Sequence, residues 1–214
     1  MKLFGPNPGR VKICGITNES DARICAEAGA SALGFNFYPG SSRHVSLDSL
    51  QWIRELAGSA DRVAVVVNSQ PDLLTQLIES GCFEMIQFHG DETPAHCALS
   101  GAPAWMKAIR AKDRSSLDES TNFDTPHILL DAWSPAAYGG TGQTADWKML
   151  AEFVAAYPPR KFVLAGGLTP HNVAQAIRSV HPAAVDVAGG VESAPGRKDS
   201  AKVRDFLQAA REAV

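Results

Sequence analysis

Short β-rich runs alternate with helical patterns along the whole chain, and this alternation restricts the fold more than any other feature. The runs are rich in Val and Ile, and several are apolar throughout, as strands buried on both faces of a parallel sheet must be. The eight runs lie at residues 11–15, 32–37, 63–68, 85–89, 105–109, 128–131, 162–165 and 184–187. Each connection between them is long enough for a crossover helix.

Helical patterns are expected in all of these connections. They lie at about 20–28, from Ser46 as an N-cap, from Pro71, from Thr93-Pro94, at the polar segment 113–125, at 146–156, from Thr169-Pro170, and at about 200–213. Eight such units in 214 residues predict an α/β fold, a single-domain (βα)8 TIM barrel with parallel strands over residues 1–214. An open doubly wound sheet is disfavoured, because the first turn, CGIT at 14–17, lacks a G-x-G-x-x-G fingerprint.

Charge and hydropathy exclude several classes of function. The net charge of −3 predicts no affinity for nucleic acid or for a membrane surface. No apolar run approaches the roughly 18 residues of a transmembrane helix, and residues 1–6 lack the apolar core of a signal peptide. None of the four cysteines forms a C-x-x-C pair, so free thiols and a cytoplasmic location are expected.

Polar residues end several of the predicted strands. They are Cys14, Asn36, Asn68, His89 and Asp131. Active sites of (βα)8 barrels lie at the carboxyl ends of the strands, so these side chains are expected to converge on one pocket. Because side chains alternate along a strand, Lys12 shares a side with Cys14, and a buried lysine needs a carboxylate or a ligand as its partner.

Each of these residues also has a purely structural interpretation. Cys14 can be a small buried hydrophobe, Asp131 can bond a loop amide, and His89 can be a satisfied structural histidine. A metal site is not expected, because His89 and His96 lie seven residues apart across a strand end and a helix.

Glycine pairs follow the seventh and eighth strands, where many barrels bind phosphate through backbone N–H groups. The candidates are Gly166 and Gly167 after one strand, and Ala188 and Gly189 after the other. Tight turns that require positive φ are the alternative explanation. Arg43, in the loop after the second strand, is a candidate clamp for a carboxylate or else a solvated loop residue. The loop 138–144 is a mobile lid or an ordinary connection, and it lacks the ending of a P-loop.

Taken together, these residues resemble the phosphoribosylanthranilate isomerase family of tryptophan biosynthesis. The motifs are VKICGI at 11–16, GFNFYP at 34–39, SRHVS at 42–46, QFHGDE at 87–92, LLD at 129–131 with GGTG at 139–142 and DW at 146–147, and LAGGL at 164–168 with PHNV at 170–173. The matches run from Val11 to beyond Asp199, and their combination is specific although no single motif is.

The resemblance implies an Amadori rearrangement of a phosphosugar without any cofactor or metal. It makes Cys14 the general base and Asp131 the general acid, places Arg43 at the anthranilate end, and assigns the phosphate to the two glycine turns. Lys12 and Asp186 complete the expected substrate-binding set. The implied protein is a monomer or a homodimer.

The sequence departs from the family at the phosphate turn. Ala188 and Gly189 stand where the family commonly has two serines, so two hydroxyl donors to the phosphate are missing. Two alternatives stay open: another phosphosugar enzyme on the same barrel, such as a ribulose-phosphate epimerase or the related isomerase of histidine synthesis, and a non-catalytic phosphate-binding barrel.

Overall fold

A computed structural model describes residues 1–5, 9–132 and 146–214 and shows a closed barrel of eight parallel strands. The strands are β1 (Val11–Cys14), β2 (Ala32–Asn36), β3 (Asp61–Val66), β4 (Met85–Phe88), β5 (Trp105–Ala111), β6 (His127–Ala132), β7 (Lys161–Leu164) and β8 (Ala184–Val187). Each strand pairs with the next, and β1 also pairs with β8 to close the barrel. The predicted (βα)8 barrel is therefore confirmed.

Helices follow the strands in the expected alternation. They are α1 (Glu19–Glu27), α2 (Leu50–Glu55), α3 (Pro71–Glu79), α4 (Pro94–Ala98), α5 (Arg114–Glu119), α6 (Trp147–Ala156), α7 (Val173–Val180) and α8 (Ser200–Glu212). Side-chain oxygens of Asn18, Thr93, Asp113, Asp146 and Asp199 accept backbone N–H groups at five of the N-termini. The described helices include none that is long and apolar enough to cross a bilayer.

Two helix starts differ from the sequence-based prediction. Ser46 opens only a 3-10 turn, Leu47–Ser49, and its hydroxyl contacts Asp48 instead of capping a helix, so the α-helix begins at Leu50. Thr169 is followed by a turn, because the Asn172 side chain accepts its N–H, and α7 begins only at Val173. The sequence pattern also did not predict a two-stranded hairpin after the barrel, formed by β9 (Glu192–Ala194) and β10 (Arg197–Lys198).

The apolar core has two layers. The larger layer packs the helices against the outside of the barrel. The smaller layer fills the barrel interior with Leu3, Ala32, Val63, Met85, Met106, Ala108, Leu129, Val163, Ala165 and Ala184. Leu129 belongs to this inner layer, so the other side chains on its side of β6 also point inward.

A buried ion pair stabilises the site end of β4 and β5. The Lys107 Nζ atom lies 2.9 Å from Glu92 Oε2 and donates to the Gly90 carbonyl at 2.6 Å. Glu92 in turn accepts the backbone N–H groups of Asn68 and Gly90. Because both charged side chains are 4% exposed or less, each requires the other as its counter-ion.

Glu92→Gln should lower the free energy of unfolding by about 3–5 kcal/mol, because it leaves the Lys107 ammonium buried without a counter-ion. Urea unfolding monitored by circular dichroism measures this loss. Glu19→Gln is the matched control, because its partner Arg23 lies on the surface, and it should leave stability nearly unchanged. Equal stability of the two variants would contradict the structural role of the buried pair.

Candidate active site

A cavity of about 710 Å³ opens at the carboxyl ends of the barrel strands. Its lining includes the predicted residues Cys14, Arg43, His89, Asp131, Gly166, Gly167, Asp186, Ala188 and Gly189. These residues come from β1, β2, β4, β6, β7 and β8 and the loops that follow them. The closed parallel topology therefore brings side chains that are distant in sequence to one rim.

Cys14 lies at the end of β1 above a fully buried lysine. The Lys12 Nζ atom is 2.7 Å from Asp186 Oδ1 on the neighbouring strand β8 and also contacts the Cys14 thiol. Gly34 on β2 makes room for this arrangement, since a Cβ there would lie 2.8 Å from Cys14 Sγ and 3.0 Å from Lys12 Nζ. Lys12 is fully buried and, among the described residues, its ammonium contacts Cys14 and Asp186 and does not line the cavity.

Several environmental effects act on the Cys14 thiol. Burial raises its pKa and the Asp186 carboxylate adds to this effect, whereas the Lys12 and Lys198 ammonium groups oppose it, with a raised pKa as the result. Burial also raises the pKa of Cys25 and of Cys97 to about 12. Those two thiols are fully buried, whereas Cys14 is partly accessible, so Cys14 is the cysteine that the cavity exposes.

Asp131 contacts His89, and His89 in turn contacts Gln87. Gln87 lies on β4, and His89 is the first residue after that strand. His89 Nε2 lies 3.2 Å from Asp131 Oδ2, and Gln87 Nε2 lies 2.7 Å from His89 Nδ1. Gln87 and Asp131 therefore contact opposite ring nitrogens of His89. The contact between His89 and Asp131 is one that the sequence did not predict.

Arg43 forms a two-point ion pair with a glutamate that the sequence analysis did not single out. Its Nε and Nη2 atoms lie 2.8 and 2.7 Å from the two carboxylate oxygens of Glu192. The stem of Arg43 crosses Gly15, where a Cβ would lie 2.4 Å from Cδ and where φ is +74°. The Nη2 atom would lie 3.5 Å from a Cβ at Gly189, so the guanidinium sits beside the turn after β8, closer to it than the sequence suggested.

The turns after β7 and β8 pack against each other. Gly166 and Gly167 have φ values of +91° and +64°, which favour glycine. A Cβ at Gly190 would lie 1.9 Å from the Leu168 carbonyl oxygen, so only glycine fits where the two turns meet. Within the described part of the chain, the N–H groups of Gly166, Gly167, Gly189 and Gly190 have no acceptor. These amides are available to an anion.

Two of the polar strand ends have structural roles. Asn36 reaches the rim but holds its own loop, accepting from the Tyr38 N–H and donating to Ser41 Oγ. Asn68 does not join the cavity: it has a φ of +47° in the turn after β3, and its side chain accepts the N–H of Asp91. The expectation that all five strand-end residues converge is therefore wrong for Asn68.

Two further predictions concern a metal site and the loop 138–144. Residues 1–5, 9–132 and 146–214 contain no group of three or more His, Cys, Asp or Glu side chains placed to hold a metal ion. The loop 138–144, interpreted as a lid or a connection, lies outside the described residues.

Comparisons with known proteins agree on one family. The model of the N-(5'-phosphoribosyl)anthranilate (PRA) isomerase family matches residues 11–209. A protein of Trichlorobacter lovleyi named N-(5'-phosphoribosyl)anthranilate isomerase is 46% identical over 206 residues, which are 96% of this chain and 99% of that protein. A protein of the same name from Geobacter sulfurreducens is 46% identical over 203 residues, covering 94% and 98%.

Solved structures give the same result. The phosphoribosyl anthranilate isomerase of Thermotoga maritima has a TM-score of 0.87 and 37% identity, over 95% of this chain and 98% of its own. Another, in complex with reduced 1-(o-carboxyphenylamino)-1-deoxyribulose 5-phosphate, has a TM-score of 0.82 and 35% identity over 95% and 98%. The chain therefore belongs to the family of N-(5'-phosphoribosyl)anthranilate isomerases and is an enzyme of that family.

Proposed function

We propose that this enzyme converts N-(5-phosphoribosyl)anthranilate into 1-(2-carboxyphenylamino)-1-deoxyribulose 5-phosphate, with Cys14 as the general base and Asp131 as the general acid. The observation that carries the proposal is that both side chains line one cavity whose rim also offers Arg43 and two turns with open N–H groups. A thiol and a carboxyl on different strands, β1 and β6, can act at different atoms of one substrate.

The rim offers different groups to the two anions of this substrate, with Arg43 placed beside the turn after β8. The glycine amides after β7 and β8 suit the phosphate, because they point unpaired N–H groups at an anion and need no side chain. Arg43 suits the anthranilate carboxylate: Glu192 occupies its Nε and Nη2 atoms, and among the described residues Nη1 has no acceptor. A planar fork matches a planar benzoate better than an ammonium would.

The reaction then needs one acid and one base in succession. Asp131 donates a proton to the ribose ring oxygen, the C1′–O bond breaks, and the substrate opens to a protonated Schiff base. The Cys14 thiolate removes the C2′ proton, and its electrons move towards the iminium nitrogen to form an enolamine. Protonation of the enolamine at C1′, with loss of the proton from the C2′ hydroxyl, then gives the aminoketose. The iminium nitrogen of the substrate accepts the electrons in this sequence.

The raised pKa of Cys14 has a consequence for the pH dependence. Below this pKa the thiolate is a minority species, so the rate should rise with pH until the thiol titrates. Lys12 increases the thiolate fraction, because its ammonium favours the charged form of the neighbouring sulfur. The protonated Schiff base adds a second nearby cation at the moment when the base is required.

Phosphate binding relies on the backbone more than the family's usual pattern does. Ala188 and Gly189 carry no hydroxyl, so the amides of the two turns must provide the hydrogen bonds that serines commonly add. We also expect the enzyme to act in the cytoplasm as a monomer or a homodimer. The four free cysteines support that location, and a solved structure from Thermotoga maritima is of monomers generated from a dimeric enzyme.

The purified enzyme should consume phosphoribosylanthranilate generated by anthranilate phosphoribosyltransferase, and the loss of substrate fluorescence measures the rate. Cys14→Ala should lower kcat by roughly 10²–10⁴-fold or more, because it removes the base, and should leave the melting temperature unchanged. Cys25→Ala is the matched control, since Cys25 is buried away from the cavity. A wild type without activity would favour a non-catalytic barrel, and a fast Cys14→Ala would make Cys14 a structural thiol.

Asp131→Asn should be impaired to a similar degree, because an amide of the same shape cannot give up the proton that opens the ring. Binding of the stable reduced product analogue should persist, since the shape of the side chain is kept. Steady-state kinetics and calorimetric titration of that analogue separate the two effects. An Asp131→Asn enzyme with near-normal kcat would assign the acid role to another residue.

A further inference from the structure

Behind Arg43 lies a buried cluster of charges that the proposed chemistry does not use. Glu192 binds Arg43 through both carboxylate oxygens, and its Oε1 atom also lies 2.8 Å from Lys198 Nζ. The side chains of Glu192 and Lys198 are 4% and 1% exposed, and that of Arg43 is 17% exposed. The cluster holds two cations and one anion, so one positive charge is in excess beside the cavity.

Lys198 connects three parts of the rim. Its ammonium donates to Glu192 Oε1, to the Cys14 carbonyl oxygen at 2.7 Å and to the Ala188 carbonyl oxygen at 3.2 Å. An ammonium has three N–H groups, so these three acceptors match its capacity. One buried side chain thus joins the end of β1, the turn after β8 and the carboxylate that holds Arg43.

The β9–β10 hairpin supplies both Glu192 and Lys198. Glu192 begins β9, and Lys198 ends β10. The hairpin is held against the loop after β1 and the first turn of α1, because Thr17 Oγ1 donates to the Gly196 carbonyl at 2.6 Å and Asp21 in α1 accepts the Lys198 N–H at 2.8 Å. The cluster is therefore fixed from two sides and does not depend on a bound ligand for its geometry.

The pairing with Glu192 leaves Arg43 oriented and still able to bind. Glu192 takes the Nε–Nη2 side of the guanidinium, and the stem is confined by Gly15. In the described part of the chain, Nη1 has no acceptor, although Arg43 lines the cavity. A second carboxylate can bind the Nη1–Nη2 end of the same planar group while Glu192 keeps its place.

We propose that Glu192 and Lys198 are positioning residues for the reaction: Glu192 orients Arg43 towards the carboxylate of the substrate, and Lys198 fixes Glu192, the backbone of Cys14 and the turn after β8 relative to one another. The proposal rests on the proposed function. Neither residue lines the cavity, so both act through the groups that they hold.

The ionisation of the cluster agrees with this role. Burial disfavours the charged form of Glu192, but the hydrogen bonds from Arg43 and Lys198 outweigh it and lower the pKa of the carboxyl. The hydrogen bond that Arg43 donates to Glu192 raises the pKa of Arg43 despite its burial. Both partners therefore stay charged throughout the pH range in which the enzyme would work.

Glu192→Gln should raise the KM for phosphoribosylanthranilate on the order of tenfold and change kcat much less, because Arg43 loses its two-point partner and its orientation. Glu192→Asp keeps the charge but is one methylene too short to span both nitrogens, so it should also raise KM. A purely structural role would instead lower the melting temperature and the active fraction without a change in KM.

Glu84→Gln is the matched control for both variants. Glu84 binds Arg62 in the same two-point manner, but at the opposite end of the barrel, near the start of β3. Because the Glu84 side chain is 32% exposed and that of Glu192 is 4% exposed, this variant should lose less stability, and it should leave KM unchanged. If wild type turns over and both Glu192 variants retain the wild-type KM, the proposal is overturned while the proposed function stands. If wild type does not turn over, the proposed function itself has failed.

Lys198→Met tests the role of Lys198 through the reactivity of Cys14 and through kcat. Loss of its charge should raise the pKa of the Cys14 thiol, so the pH midpoint of Cys14 alkylation by iodoacetamide, measured by mass spectrometry, should move upward. Lys202→Met is the control, because among the described residues the Lys202 ammonium donates to the Glu192 backbone carbonyl and not to its carboxylate. An unchanged midpoint in a folded Lys198→Met enzyme, with unchanged kcat, would refute the role of Lys198.

Discussion

The barrel closes around an ion pair. Lys12 on β1 and Asp186 on β8 are register partners at the seam where the first strand meets the last, and Lys12 Nζ lies 2.7 Å from Asp186 Oδ1. Lys12 is fully buried, so its charge is tolerated only because the carboxylate neutralises it. The same ammonium contacts Cys14, and the same carboxylate reaches the cavity. The Lys12–Asp186 ion pair therefore lies at the closure of the barrel and also acts on the electrostatic environment of the Cys14 thiol.

The fold could be predicted because each element repeats a local rule. Strands buried on both faces need continuous apolar runs, and eight of these separated by helical patterns leave few architectures. Cys14 and Asp131 could be found for the same reason, since the ends of parallel strands meet on one face. The predicted start of α7 was wrong by a few residues, because the Asn172 side chain stabilises a turn that hydrophobic periodicity does not indicate.

The support of the site could not be predicted in this way. Glu192 lies 149 residues from Arg43, and Lys198 lies 184 residues from the Cys14 carbonyl that it binds. Both belong to a short hairpin without apolar periodicity, so no local pattern marks them. His89 was recognised at a strand end, but its contact with Asp131 depends on the register of β4 against β6 across the barrel. Residues that act by holding another side chain can be recognised only when the structure shows which side chain they contact.

In the proposed complex, one cavity holds the substrate with its C2′ atom at Cys14, its phosphate at the glycine turns and its carboxylate at Arg43. A crystal structure of the enzyme with reduced 1-(o-carboxyphenylamino)-1-deoxyribulose 5-phosphate is the direct test of this placement. We expect C2′ about 3.5 Å from the Cys14 sulfur, with the Arg43–Glu192 pair intact. An analogue bound in the reverse direction, or one that displaces Glu192 from Arg43, would contradict it.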